Sequence, residues 1–126
     1  MPSGYHINHE QGLVTLTGSN TMQISDACDI GSALLADPEF DSTLPHLVDL
    51  RGLELQRDQA SSARFRRFVL DTYMPRVKAS IAVVVNDSLD QNSLAGLYHI
   101  CCSMERTELF DQYDQALKWL MRREFA

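Results

Sequence analysis

The stretch Ala79-Ser80-Ile81-Ala82-Val83-Val84-Val85, followed at once by Asn86-Asp87-Ser88, decides the fold. Apart from Ser80 the run is apolar, and Ile81, Val83, Val84 and Val85 are β-branched. A run that short, apolar on both alternating faces, predicts a strand covered by helices above and below. Asn86-Asp87-Ser88 supplies turn and cap chemistry, so the chain is expected to leave a sheet there and enter a helix.

Upstream, Tyr5–Asn8 and Leu13–Gly18 read as the arms of an antiparallel hairpin, with Gly12 where a tight turn needs positive φ. Gly18-Ser19-Asn20-Thr21 is expected to break the second arm and cap a helix. Ile24, Ala27, Cys28, Gly31, Leu34 and Leu35 then form a helical stripe, opposed by Gln23, Ser25, Asp26, Asp29 and Ser32. Gly31 lowers helix propensity and is expected to let the helix approach the sheet closely. Asp37-Pro38 ends the helix, because a residue before proline is pushed out of the α region.

Leu47-Val48-Asp49-Leu50 predicts the next strand, ending in Arg51-Gly52. Asp49 has two readings: a functional carboxylate at the carboxyl end of a strand, or a structural acid bonded to loop amides or to Arg51. Arg57–Tyr73 predicts a helix closed by Pro75, with Ser61, Phe65, Phe68, Val69 and Thr72 turned to the core. Arg57, Arg64, Arg67 and Asp71 share its other side, a solvated charged face.

Downstream, Ser88-Leu89-Asp90-Gln91 reads as a capping box. The helix it opens runs to about Ser103, with Ser93, Gly96, Leu97, Ile100, Cys101 and Met104 inward. Thr107-Glu108-Leu109-Phe110 is a last short strand. Asp111 is expected to cap a final helix with Tyr113, Ala116, Leu117, Leu120 and Met121 as its apolar stripe and Trp119 just off it, half exposed. The order β-β-α-β-α-β-α-β-α predicts one α/β domain over residues 1–126, its sheet mostly parallel.

Composition narrows the function. The 126 residues, 44% hydrophobic and 22% charged, are those of an ordinary globular domain with one sizeable core. A net charge of −6 argues against nucleic acid or an anionic lipid surface as partner. No apolar run reaches the ~20 residues of a membrane span, and Met1-Pro2-Ser3-Gly4-Tyr5-His6 lacks the features of a signal peptide. Cys28, Cys101 and Cys102 suggest no disulfide framework, so a cytoplasmic protein with reduced thiols is expected.

The chemistry-bearing residues converge on no motif. His99 and Cys102 stand three apart beside Cys101, but no C-x-x-C or H-x-x-x-H occurs, and His6, His9 and His46 fall in strand ends and loops. Cys101 and Cys102 lie near a predicted helix C-terminus, where the dipole disfavours a thiolate. Cys28, on an apolar stripe, reads as a small core residue. Glycine-rich phosphate loops and the G-x-S-x-G elbow are absent. The expectation is no metal, no cofactor and no catalytic residues.

One resemblance spans nearly the whole chain. Asp37-Pro38-Glu39-Phe40-Asp41, Leu47-Val48-Asp49-Leu50-Arg51, Asn86-Asp87, Ala95-Gly96-Leu97-Tyr98, Leu109-Phe110 and Ala116-Leu117-Lys118-Trp119-Leu120, in that order, resemble the bacterial SpoIIAA-like proteins of the STAS/Sec14-like group. The resemblance implies a small cytoplasmic α/β domain with a mixed five-stranded sheet; the reading of the chain adds an opening β-hairpin and four helices. STAS relatives are anti-sigma-factor antagonists and transporter tails that bind partner proteins, some under serine phosphorylation. Here the region matching the phosphorylated serine is Asp58-Gln59-Ala60-Ser61-Ser62, which lacks the family's glycine and its acid-to-serine spacing; Ser62 is its more accessible serine.

The Sec14-like side implies instead a pocket for a small apolar ligand, with Phe65, Phe68, Tyr73, Tyr98 and Trp119 as candidate linings. These aromatics equally suit an ordinary core. The expected function is therefore a non-catalytic regulatory module that binds a protein partner, with a homodimer considered, and Asp49, Arg51, Tyr98 and Trp119 as candidate contacts. The alternative is a carrier or sensor of a small apolar ligand. An enzyme using Asp49 or the Cys101/Cys102 pair stands third.

Overall fold

A computed structural model describes residues 4–20, 24–53, 67–85 and 107–125. The strands are β1 (Gly4–Asn8), β2 (Leu13–Asn20), β3 (His46–Leu53), β4 (Ile81–Val84) and β5 (Thr107–Phe110). The helices are α1 (Ile24–Ala36), α2 (Met74–Arg76), which directly follows a π-turn at Val69–Tyr73, and α3 (Tyr113–Phe125). The helix predicted from Ser88 to Ser103 lies outside the described residues, as does the start of the one predicted from Arg57.

The five strands lie in the order β1-β2-β3-β4-β5. β1 is antiparallel to β2 and the remaining pairs are parallel, so the sheet is mixed and mostly parallel, as expected. Gly12, at φ 66°, makes the hairpin turn, where the Gln11 amide donates to Asn8 Oδ1 at 3.0 Å. Parallel neighbours reached by right-handed crossovers that always step the same way keep their connecting segments on one face. α1 and the π-turn accordingly pack on one side, in a cluster of Val14, Leu34, Leu35, Leu50, Tyr73, Val77, Ile81, Val83 and Val85. α3 covers the other side through Ala116 and Leu120, against Leu13, Leu47, Ala82 and Val84. β4 is buried on both faces, which is why its sequence shows no alternation.

Four expectations are corrected. First, β2 and β3 do not stop at Gly18 and Arg51. Pairing runs on to Ser19↔Gly52 and Asn20↔Leu53 after a register shift between Thr17 and Ser19. Two steps along β2 match three along β3, so Leu50 and Arg51 together oppose Gly18, which is a bulge of the kind a strand glycine permits.

Second, Pro75 does not close its helix but sits inside α2. A proline ring clashes with the carbonyl four residues earlier. The π-turn just before Pro75 widens the helix there and also adds a residue to the turn. The inward position therefore moves from Thr72, which is exposed, to Tyr73, which is buried. Phe68 and Tyr73, five apart, then stack with ring centroids 6.4 Å apart.

Third, Gly31 is close to another helical segment and not to the sheet. A Cβ there would come within 2.8 Å of the Phe68 ring. Fourth, at α3 the first helical bond runs from the Ala116 amide to the Gln112 carbonyl at 3.2 Å, so Gln112 and not Asp111 holds the cap position.

Candidate functional site

The candidate contacts Asp49 and Arg51 alternate onto the α3 face of β3. Asp49 is level with Val84, the last residue of β4, at the carboxyl ends of the parallel strands. The bulge takes the Arg51 amide out of regular pairing, and that amide donates to Asp49 Oδ1 at 3.1 Å. The guanidinium meets the same carboxylate with both forks, Nε to Oδ1 at 2.9 Å and Nη2 to Oδ2 at 2.8 Å. It also lies 5.0 Å over the centre of the Tyr113 ring, which ties β3 to the first turn of α3. Burial pushes the Asp49 carboxyl up, but hydrogen bonds from the Arg51 side chain and amide outweigh it and leave the group below the usual carboxylate range. The Arg51 guanidinium is held above its ordinary value, first by its hydrogen bond to Asp49.

The pair is chemically asymmetric. Asp49 is ionised and bidentate, far from the near-neutral pKa a general base needs. Arg51 keeps 47% of its side chain exposed against 15% for Asp49, so it carries the solvent-facing charge. Trp119 is half-buried and packs on Phe110 with ring centroids 5.6 Å apart, beside the cluster that includes Leu120. Ser62 and Tyr98 lie outside the described residues, together with Phe65, His99, Cys101 and Cys102. Cys28 is buried. Among the described residues no group of three His, Cys, Asp or Glu is placed to hold a metal ion, and no helix is long and apolar enough to cross a membrane.

A second constellation, absent from the sequence reading, sits at the amino ends of the strands on the opposite face. His46 opens β3 with 0% exposure. Its amide donates to the Ser80 carbonyl at 2.9 Å, while the preceding Pro45 carbonyl accepts from Val14 at 2.9 Å. Its Nδ1 shares a hydrogen bond with the Tyr73 hydroxyl, and the Phe40 ring meets it edge-on at 6.3 Å. Nε2 is buried with no hydrogen-bond partner among the described residues. Burial holds the His46 imidazole down at about 4 and pushes the Tyr73 hydroxyl up. The available signal was the placement of Pro45-His46 directly before the apolar Leu47-Val48; the π-turn that delivers Tyr73 had none.

Around this core the loops are pinned by their own acids. Tyr5 donates to Asp37 Oδ2 at 2.7 Å and the Glu39 amide to Oδ1 at 2.8 Å. Asp41 accepts from both the amide and the hydroxyl of Thr43. The Tyr5 and Thr43 bonds are the leading reasons that Asp37 and Asp41 titrate below the ordinary range. Arg76 reaches the Leu35 carbonyl at 3.3 Å, at the end of α1 where a cation is favoured.

No family model, no curated protein and no solved structure matches this chain.

Proposed function

We propose that this chain is a non-catalytic regulatory module of the STAS-like kind, which works in the cytoplasm by binding another protein. The observation that carries the reading is the Asp49–Arg51 pair. Asp49, at the carboxyl end of a central strand, has both oxygens occupied by Arg51, and the half-exposed Arg51 side chain beside Tyr113 presents recognition chemistry in place of acid–base chemistry. The mixed five-stranded sheet agrees with the SpoIIAA-like resemblance.

The carrier reading draws less support. Of its candidate linings, Tyr73 is buried against His46 and Phe68, and Trp119 packs on Phe110. The test is affinity capture of full-length protein from its own host, wild type against Arg51→Ala and Trp119→Ala, with native mass spectrometry of the same preparations. A protein that co-purifies at fixed stoichiometry and is lost from both variants, at unchanged circular dichroism, sustains the reading. Retention by both variants removes this site from it, and a small-molecule mass excess that vanishes on denaturation favours the carrier.

A further inference from the structure

We propose that His46 is an acid-sensitive latch: protonation of its imidazole releases the Val69–Arg76 segment from the α1 side of the sheet while the sheet itself stays paired. His46 cannot escape by moving its strand, because the backbone at Pro45 and His46 is bonded to Val14 on one side and Ser80 on the other. Its side chain bridges instead to a separate element through the Tyr73 hydroxyl. In the neutral ring one nitrogen is satisfied by Tyr73 and the other is already without a partner among the described residues. Protonation makes both nitrogens donors, so the site then holds a buried charge and an N–H with no acceptor, the combination protein interiors tolerate least.

No described acid is placed to compensate. The groups facing His46 are Tyr73 from the π-turn and Phe40 from the loop after α1, with Arg76 of α2, itself a cation, 5.6 Å over that Phe40 ring. On the surrounding elements, Asp37 and Asp41 are committed to Tyr5, Glu39 and Thr43. Cys28 of α1 is buried, and Asp29, Asp71 and Lys78 are exposed. The segment is also the weaker side of the contact. Leu70, Asp71, Thr72, Pro75 and Arg76 are exposed, and the π-turn is a poorly propagated helix form. β3, by contrast, is paired along both edges.

With His46 held at about 4 in the closed form and near its ordinary ~6.5 once released, opening increases about tenfold per pH unit between those values, about 300-fold in all. Hydrogen exchange read by mass spectrometry on the full chain, at pH 7.0 down to 4.0 and corrected for intrinsic rates, measures this directly. The expected result is a progressive loss of protection over residues 67–77 while β3 and β4 amides hold, and no such loss in His46→Gln. The same loss in His46→Gln, or loss from segment and strands together, overturns the proposal. Should His46→Gln not fold, Tyr73→Phe serves: opening rises at every pH but keeps its slope. An imidazole titration of the wild type by NMR with its midpoint near 6.5 also overturns it.

Discussion

Asp49 and His46 stand three residues apart on β3, yet their side chains lie on opposite faces and obey opposite electrostatics. Asp49 is partly buried with a cation on it and stays charged; His46 is buried without an anion and stays neutral. The signs differ in their effect on stability. For His46 the unfolded chain takes up its proton first, so stability is full above about pH 6.5 and declines as pH falls toward the folded value of about 4. That amounts to about 3 kcal/mol in all. Asp37, Asp41 and Asp49 are depressed carboxylates, so their contribution is present above the ordinary carboxylate value and is lost only below it. Urea unfolding across pH 7 to 3 is expected to show two acid stages, the upper one missing in His46→Gln. A double-mutant cycle on Asp49→Ala and Arg51→Ala is expected to return a coupling of about 1 kcal/mol, given that Arg51 is half in solvent. A coupling near zero would leave the bidentate geometry without energetic weight.

Elements were legible in the sequence to the extent that pattern and punctuation agreed. β4 and the stripe of α1 were plain because their apolar periods are unbroken. The long tails of β2 and β3 were hidden because Gly18 and Gly52 read as stops, while their pairing depends on a partner strand far away in sequence. The π-turn was illegible because a helix pattern presumes 3.6 residues per turn, and one extra residue moved the inward side chain from Thr72 to Tyr73. Asp49 and Arg51 drew attention for their place at a strand end; His46 did not, since its role depends on Tyr73, which only the π-turn brings to it. Two tests belong at this scale. Gly31→Ala gains about 1 kcal/mol of helix propensity but crowds Phe68 at about 1–3 kcal/mol, so it is expected to destabilise the wild type and to stabilise a Phe68→Ala background. Gly12→Ala is expected to cost about 1–2 kcal/mol at its positive φ, with Gly12→Asn milder. Thermal melts decide both.

At the scale of the whole molecule, one sheet separates two cores. Leu34 belongs to one and Leu120 to the other, each fully buried. Leu34→Ala and Leu120→Ala are each expected to cost about 2–5 kcal/mol. Because the sheet stands between them and they share no partner, their costs are expected to add within about 0.5 kcal/mol. Strong non-additivity in urea unfolding would mean that the cores repack through the sheet as a unit.

The strand order β1-β2-β3-β4-β5 also bears on how the chain folds. Among the described residues every strand pairs with its neighbour in sequence, so none of these pairings needs a loop longer than one crossover to close, and loop-closure entropy is kept small at each step. The β1–β2 hairpin is the most local contact and forms on the microsecond scale. Each later strand then has a ready edge beside the one just laid down. Pulse-labelled exchange during refolding is expected to protect β1 and β2 before β4 and β5. A chain arrested at any crossover would hold a shorter sheet in the right order, with no misthreaded strand to undo.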